Sequence, residues 1–164
     1  MAHITLKGDP YRTTGELPAV GAQAPSFELV RQDLAIATLS TYAGQRKVLN
    51  IFPSLDTAVC AASVRHFNEK AASREGVAVL NISADLPFAA KRFCVAEGIQ
   101  GAETLSTFRS TFPGDYGVKI LDGPLAGLCA RAVLVLDEKN RVVYRQLVPE
   151  IAQEPDYDAA LKAL

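Results

Sequence analysis

The sequence predicts an α/β fold with a central mixed β-sheet flanked by helices, and three observations carry that expectation. Lys47 to Phe52, closed by Pro53, and Val77 to Ser83 are the apolar runs that a sheet buried on both faces requires. Between them, Ala58 to Arg74 sets Ala, Val and Phe at helical spacing, so the order is strand, helix, strand. Farther on, two apolar runs flank Asp137-Glu138-Lys139-Asn140 as the strands of an antiparallel hairpin would, which makes the sheet mixed.

In chain order, residues 3 to 20 hold two short strand-like runs around Gly8-Asp9-Pro10, an N-terminal β-hairpin extension. Ser26-Phe27-Glu28-Leu29-Val30 is a short alternating segment. The helix over 58–74 has Asp56 and Thr57 upstream as candidate caps and Gly76 past its end. A second helix is expected from Pro87, suited to a first turn, to Glu97, with Gly98 as the stop. Thr104 to Phe108 reads as a strand, Leu128 to Leu136 and Arg141 to Val148 as the hairpin, and Pro155 to Leu164 as a closing helix.

A length of 164 residues, 49% hydrophobic and 21% charged, fits one domain spanning 1–164, with residues 1–20 as an extension within it. Seventeen basic against eighteen acidic residues leave no positive field for nucleic acid or an anionic membrane. The apolar runs fall far short of the roughly 20 residues that cross a bilayer, and the N-terminus has no apolar stretch after a basic start. The expectation is a soluble protein of the cytoplasm that binds neither nucleic acid nor membrane.

Cys60, Cys94 and Cys129 are too few for a disulfide framework and lack CxxC spacing. With only His3 and His66 beside them, no pair has metal-ligand spacing, and neither a P-loop nor GxGxxG is present, so no metal or cofactor is expected. Inert buried thiols and catalytic thiols both remain open on this count.

The informative stretch is Pro53-Ser54-Leu55-Asp56-Thr57-Ala58-Val59-Cys60, where a buried strand gives way to a helix. A cysteine in a first helical turn meets unpaired N–H groups and the positive end of the macrodipole, which favour a thiolate. Thr57, three residues earlier, puts a hydroxyl across the same turn, and Pro53 ends the strand and stiffens the loop. The plain alternative is a capped helix that happens to contain a buried cysteine. His66, about 240° round the helix from Cys60, is wrongly placed for a base, and His66 and Arg65 read as exposed helix residues.

On this motif the chain resembles the peroxiredoxins, thioredoxin-fold enzymes that reduce hydroperoxides, and among them the bacterial thiol peroxidase subfamily. The similarity runs along the chain: Lys47 to Ser54, Cys60-Ala61-Ala62-Ser63-Val64-Arg65, Ser83 to Ala89, Arg92-Phe93-Cys94, Leu105 to Arg109, Asp122-Gly123-Pro124-Leu125 and Glu154-Pro155-Asp156-Tyr157. The resemblance implies a thioredoxin-like fold, Cys60 as peroxidatic cysteine with Thr57 and Pro53 as motif partners, Cys94 as resolving cysteine and Arg131 as a distant arginine. It also implies an antioxidant homodimer that prefers organic or lipid hydroperoxides, forms an intramolecular Cys60–Cys94 disulfide, and is recharged by a thioredoxin-like reductant.

One thiolate is not enough for such chemistry. Lowering a thiol pKa from ~8.5 to ~6 gains only ~30-fold in thiolate at neutral pH, against at least ~10⁶-fold for a typical enzyme. The remainder falls to donors aimed at the peroxide oxygens, with Arg131 and Thr57 as candidates. The bland reading of Arg131 is a surface charge at the start of a strand. Cys129 is expected as a packed apolar residue, yet on a continuous strand it shares a face with Arg131, which would bring a third thiol near the site. A redox sensor or holdase using the same thiols without turnover is the alternative function; a disulfide reductase is weakened by the missing CxxC.

Overall fold

The computed structural model describes residues 1–164. Nine strands form two sheets: β1 (His3–Leu6) and β2 (Asp9–Arg12) make a separate hairpin, and seven strands make the main sheet in the order β4-β3-β7-β6-β5-β8-β9. In that sheet β5 (Arg46–Ile51), β6 (Val77–Ser83) and β7 (Glu103–Ser106) run parallel. β8 (Ala132–Leu136) pairs antiparallel with β5, β9 (Val142–Leu147) with β8, and the two-residue strands β3 (Leu29–Val30) and β4 (Ile36–Ala37) close the other edge.

Parallel neighbours need crossovers, and α1 (Ala58–Lys70) and α2 (Pro87–Glu97) supply them. The order β7-β6-β5 takes both crossovers in the same direction, so the right-handed rule puts both helices on one face. On that face Val48, Val79, Val133 and Val135 pack against Phe67 and Ala71 of α1 and Ala160 of α4 (Tyr157–Lys162). The alternate residues Leu49, Ile51, Leu80, Ile82, Leu134 and Leu136 face the other way, into a larger cluster with Ile4, Phe27, Tyr42, Phe112 and Tyr116. Period-two alternation with both faces covered is why these strands read as unbroken apolar runs.

A buried polar contact fixes α1 on the sheet. Asn50 and Asn81 lie opposite each other in the β5–β6 register, and the Asn50 amide donates to Asn81 Oδ1 at 3.0 Å and to Ser63 Oγ of α1 at 3.1 Å. The open ends of β5 and β6 and the first turn of α1 are thereby brought together.

The expected elements are present, β6 and α2 (Pro87–Glu97) with the expected bounds and several others shorter. The first helix stops at Lys70 rather than Arg74, the closing helix covers Tyr157–Lys162, and of Ser26 to Val30 only Leu29–Val30 pairs. Strand pairing begins at Ala132, not Leu128, because the stretch before it turns away to bridge Cys129 to Lys119. Unforeseen were β4, a 3-10 turn at Leu39–Tyr42 and the short α3 (Phe112–Asp115). All three are too short to leave a period, and they place Ala37, Leu39, Tyr42 and Phe112 on the second face of the sheet.

Candidate active site

β5 ends beneath the N-terminus of α1. Buried Pro53 follows, and the loop after it is held by one side chain from the end of β6: Asp85 accepts from Ser54 Oγ at 2.7 Å and from the Leu55 N–H at 2.7 Å, and also from Ser83 Oγ at 2.7 Å. Ser54 in turn accepts on its carbonyl from both the Thr57 N–H, at 3.3 Å, and the Thr57 hydroxyl, at 3.0 Å. This loop delivers Cys60 as the third residue of α1.

Thr57 occupies the N-cap in extended geometry but makes no capping bond, so the first-turn amides have no side-chain acceptor. Its hydroxyl hydrogen goes to the Ser54 carbonyl, which leaves the oxygen free to accept. Asp56 is exposed and caps nothing.

The Cys60 sulfur is not open to solvent. The residue is 0% exposed among Phe52, Leu55, Val64 and Ala90, with Phe93 and Ile99 packed around them. Burial follows from α1 and α2 sharing one face of the sheet.

Arg131 is equally buried, at 1% exposure, and is not the surface charge of the bland reading. It directly precedes Ala132, which pairs with Ile51 at the end of β5, and this ladder carries the guanidinium under α1. Its Nη2 lies 3.1 Å from Cys60 Sγ and its Nε donates to the Ile151 carbonyl at 2.8 Å. Its Nη1 is buried with no acceptor at all. A buried guanidinium costs heavily unless acceptors surround it; Nε meets a carbonyl, Nη2 meets the Cys60 sulfur, and Nη1 meets none.

Cys94 lies in α2 and turns toward the far edge of the sheet. The Gln32 amide donates to its sulfur at 3.4 Å and to Thr104 Oγ1 of β7 at 2.6 Å. Burial pushes this thiol above the ordinary thiol range, while the bonds from Gln32 and Thr104 pull the other way. Beside it is a hollow of about 250 Å³ lined by Arg31, Gln32, Asp33, Ala102, Glu103 and Thr104. Cys60 and Cys94 are both free thiols in separate helices.

Cys129 is not at the site. With strand pairing absent at 129, the alternation that would set it beside Arg131 is broken, and it packs in the cluster on the opposite face. Burial there pushes its thiol up to about 12. His66 also differs from expectation: it is half-buried, its ring stacked on Tyr157 at 3.9 Å, and Arg65 pairs with Glu97 at 3.3 Å. Sequence reasoning missed Asp85, Gln32 and the Ile151 carbonyl. Only the Ser83-Ala84-Asp85 run drew attention, and it carried no hint of the loop it holds.

Comparison with known proteins agrees with this geometry. The chain matches the Redoxin family over residues 19–161. It is 56% identical to the thiol peroxidase of Mycobacterium tuberculosis strain H37Rv over 164 residues, covering 100% of this chain and 99% of that one. Among solved structures, a peroxiredoxin-like protein from Aquifex aeolicus superposes with a TM-score of 0.93 at 41% identity, covering 99% of this chain and 95% of the other. A thiol peroxidase from Chromobacterium violaceum gives 0.88 at 25% identity, covering 98% and 93%.

Proposed function

The chain belongs to the redoxin family and is a thiol-dependent peroxidase with the thioredoxin-type fold of the peroxiredoxins, and from that premise we propose how its own residues divide the reaction. Cys60 is the peroxidatic nucleophile. Its sulfur attacks one oxygen of the hydroperoxide, the O–O bond breaks, and the chain is left with a sulfenic acid while the leaving alkoxide takes up a proton as alcohol or water. Arg131 binds the sulfur through Nη2 and offers Nη1 to the peroxide oxygens, where negative charge grows as the O–O bond lengthens. The observation that carries this reading is the buried pair itself, with 3.1 Å between Nη2 and Sγ and a neighbouring donor left unpaired.

Thr57 and Pro53 shape the pocket: Pro53 withholds an N–H and keeps the loop rigid, and the Thr57 hydroxyl oxygen faces the incoming peroxide. Cys94 is the resolving thiol. As thiolate it attacks the sulfenic sulfur, hydroxide leaves and is protonated to water, and an intramolecular disulfide remains. A thioredoxin-like dithiol then exchanges with that disulfide and returns both thiols. The apolar rim around Cys60 favours organic or lipid hydroperoxides over hydrogen peroxide.

The whole chain acts as one domain, 1–164, and works as a homodimer. Leu86, Phe88 and Val95 of the α2 region are exposed beside the site, the face a second copy would cover. A reducing compartment such as the cytoplasm keeps the thiols available.

Steady-state turnover of cumene hydroperoxide with thioredoxin tests the assignment. Cys60→Ser is expected to abolish turnover, and Cys94→Ser to allow one rapid oxidation and no thioredoxin-linked cycling. Undiminished activity of Cys60→Ser, or a dominant disulfide through Cys129 on peptide mapping, would overturn it.

A further inference from the structure

Arg131 does not hold its aim unaided. Its Nε donates to the Ile151 carbonyl and its own carbonyl accepts from the Val148 N–H at 2.9 Å, so the direction of Nη2 depends on residues 148–152. That stretch belongs to no helix or strand. Its order comes from the N-terminal hairpin: the Thr5 N–H donates to the Pro149 carbonyl at 2.7 Å, and the Ile151 N–H donates to the Thr5 carbonyl at 2.9 Å.

Glu150 ties the same two segments through its side chain. One carboxylate oxygen accepts from the Gly8 N–H at 3.0 Å and from the Thr5 hydroxyl at 3.2 Å, and the other accepts from the Ala152 N–H at 2.9 Å. These bonds hold the Glu150 carboxyl below the usual carboxylate range. The hairpin turn is built to present its amide: Lys7 and Gly8 have φ of 52° and 89°, the left-handed pair of a tight two-residue turn. Ile4 and Ile151, one from each segment, are buried in the same cluster.

We infer that Glu150 is a positioning residue for peroxide reduction: its carboxylate fastens the Pro149–Ala152 stretch to the β1–β2 hairpin, fixes the Ile151 carbonyl, and through it aims the Arg131 guanidinium at Cys60 and the peroxide. Glu150 bonds to neither Cys60 nor Arg131, so its whole effect passes through that carbonyl. The inference rests on Arg131 acting on the peroxide as proposed above. Misplacing a catalytic group by about 1 Å costs up to ~100-fold, so loosening the carbonyl without removing the arginine should cost less.

The test is single-turnover oxidation of the reduced full chain by cumene hydroperoxide, with alkylation by iodoacetamide as a measure of the sulfur alone. It compares wild type, Glu150→Ala, Glu150→Gln, Arg131→Lys and the double variant Glu150→Ala/Arg131→Lys. Lysine keeps the charge but has no Nε to meet the Ile151 carbonyl. Glu150→Ala is expected to slow peroxide reduction about 10-fold and alkylation less than about 2-fold, and to add nothing in the Arg131→Lys background. Glu150→Gln, which keeps one acceptor oxygen, should fall between and serves the same cycle if the alanine variant does not fold. A wild-type peroxide rate in both Glu150 variants, or an equal loss in both backgrounds, overturns the inference and leaves the role of Arg131 standing. A wild-type rate in Arg131→Lys alone overturns the role of Arg131 and the inference with it.

Discussion

Asp85 contributes more than its place after a strand would announce. Its carboxylate collects two side-chain hydroxyls and one backbone N–H, and the loop carrying Cys60 has no other anchor of that kind. Charge-assisted bonds of this sort contribute about 2 kcal/mol each. Asp85→Asn keeps the shape but weakens the acceptors, so stability to urea should fall by about 2 kcal/mol and peroxide reduction should slow with it. Arg131→Ala, at the same scale, should slow peroxide reduction far more than alkylation if, as proposed, its chief partner is the developing oxyanion; equal losses would mean that it serves only the sulfur. Cys129 gives a pH signature. Burial raises its folded thiol to about 12, well above an ordinary one. A raised pKa means folding favours the neutral thiol, so this stability is complete below about 9 and is lost as pH rises toward 12. The urea midpoint should therefore decline over that window, and Cys129→Ala should flatten the decline.

At the scale of elements, the proposed reaction would set two helices against their own packing. Cys60 sits in the first turn of α1, and Cys94 is held by Gln32 from the opposite edge of the sheet. A disulfide needs Cα atoms within ~7 Å, and forming it requires Cys94 to leave Gln32. Oxidation should therefore speed amide exchange in the first turn of α1, the second half of α2, or both. Matching exchange in the two redox states would contradict this. The segment that braces the other face has its own tight point. Gly117 has φ of 70°, and a Cβ there would come within 2.3 Å of the Glu16 carbonyl oxygen. Gly117→Ala should cost roughly 3 kcal/mol, about 10 °C in melting temperature by calorimetry, because backbone rather than a flexible side chain blocks it.

For the molecule as a whole, the sheet serves as a plate that carries distant residues to one edge. The proposed Cys60–Cys94 disulfide would close a loop of about 35 residues, which would stabilise the oxidised chain by roughly 4 kcal/mol on entropy alone. Helix unwinding would offset that gain and leave the bond reducible. The order of strands and helices was legible in the sequence because burial on both faces writes itself into runs such as Val48-Leu49 and Val79-Leu80. The Thr57–Cys60 spacing was legible too, since it is a relation within one helical turn. Arg131 entered only through resemblance, and Gln32, Asp85 and Glu150 did not enter as site residues at all, because each meets its partner from a remote part of the chain.

The sequence by itself determined the α/β alternation, the helix start that bears Cys60 and the family to which these residues are similar. Such features depend on neighbours within a turn or a strand, where period and capping chemistry suffice. Only the tertiary structure decided that the sulfur is buried, that Arg131 reaches it, that Cys129 packs in the cluster on the other face, and that the N-terminal hairpin is tied to the stretch whose carbonyl meets Arg131. Those outcomes depend on strand order and on where pairing begins. Cys129 illustrates the difference: two residues from Arg131, it lies on the other face because the ladder starts at Ala132.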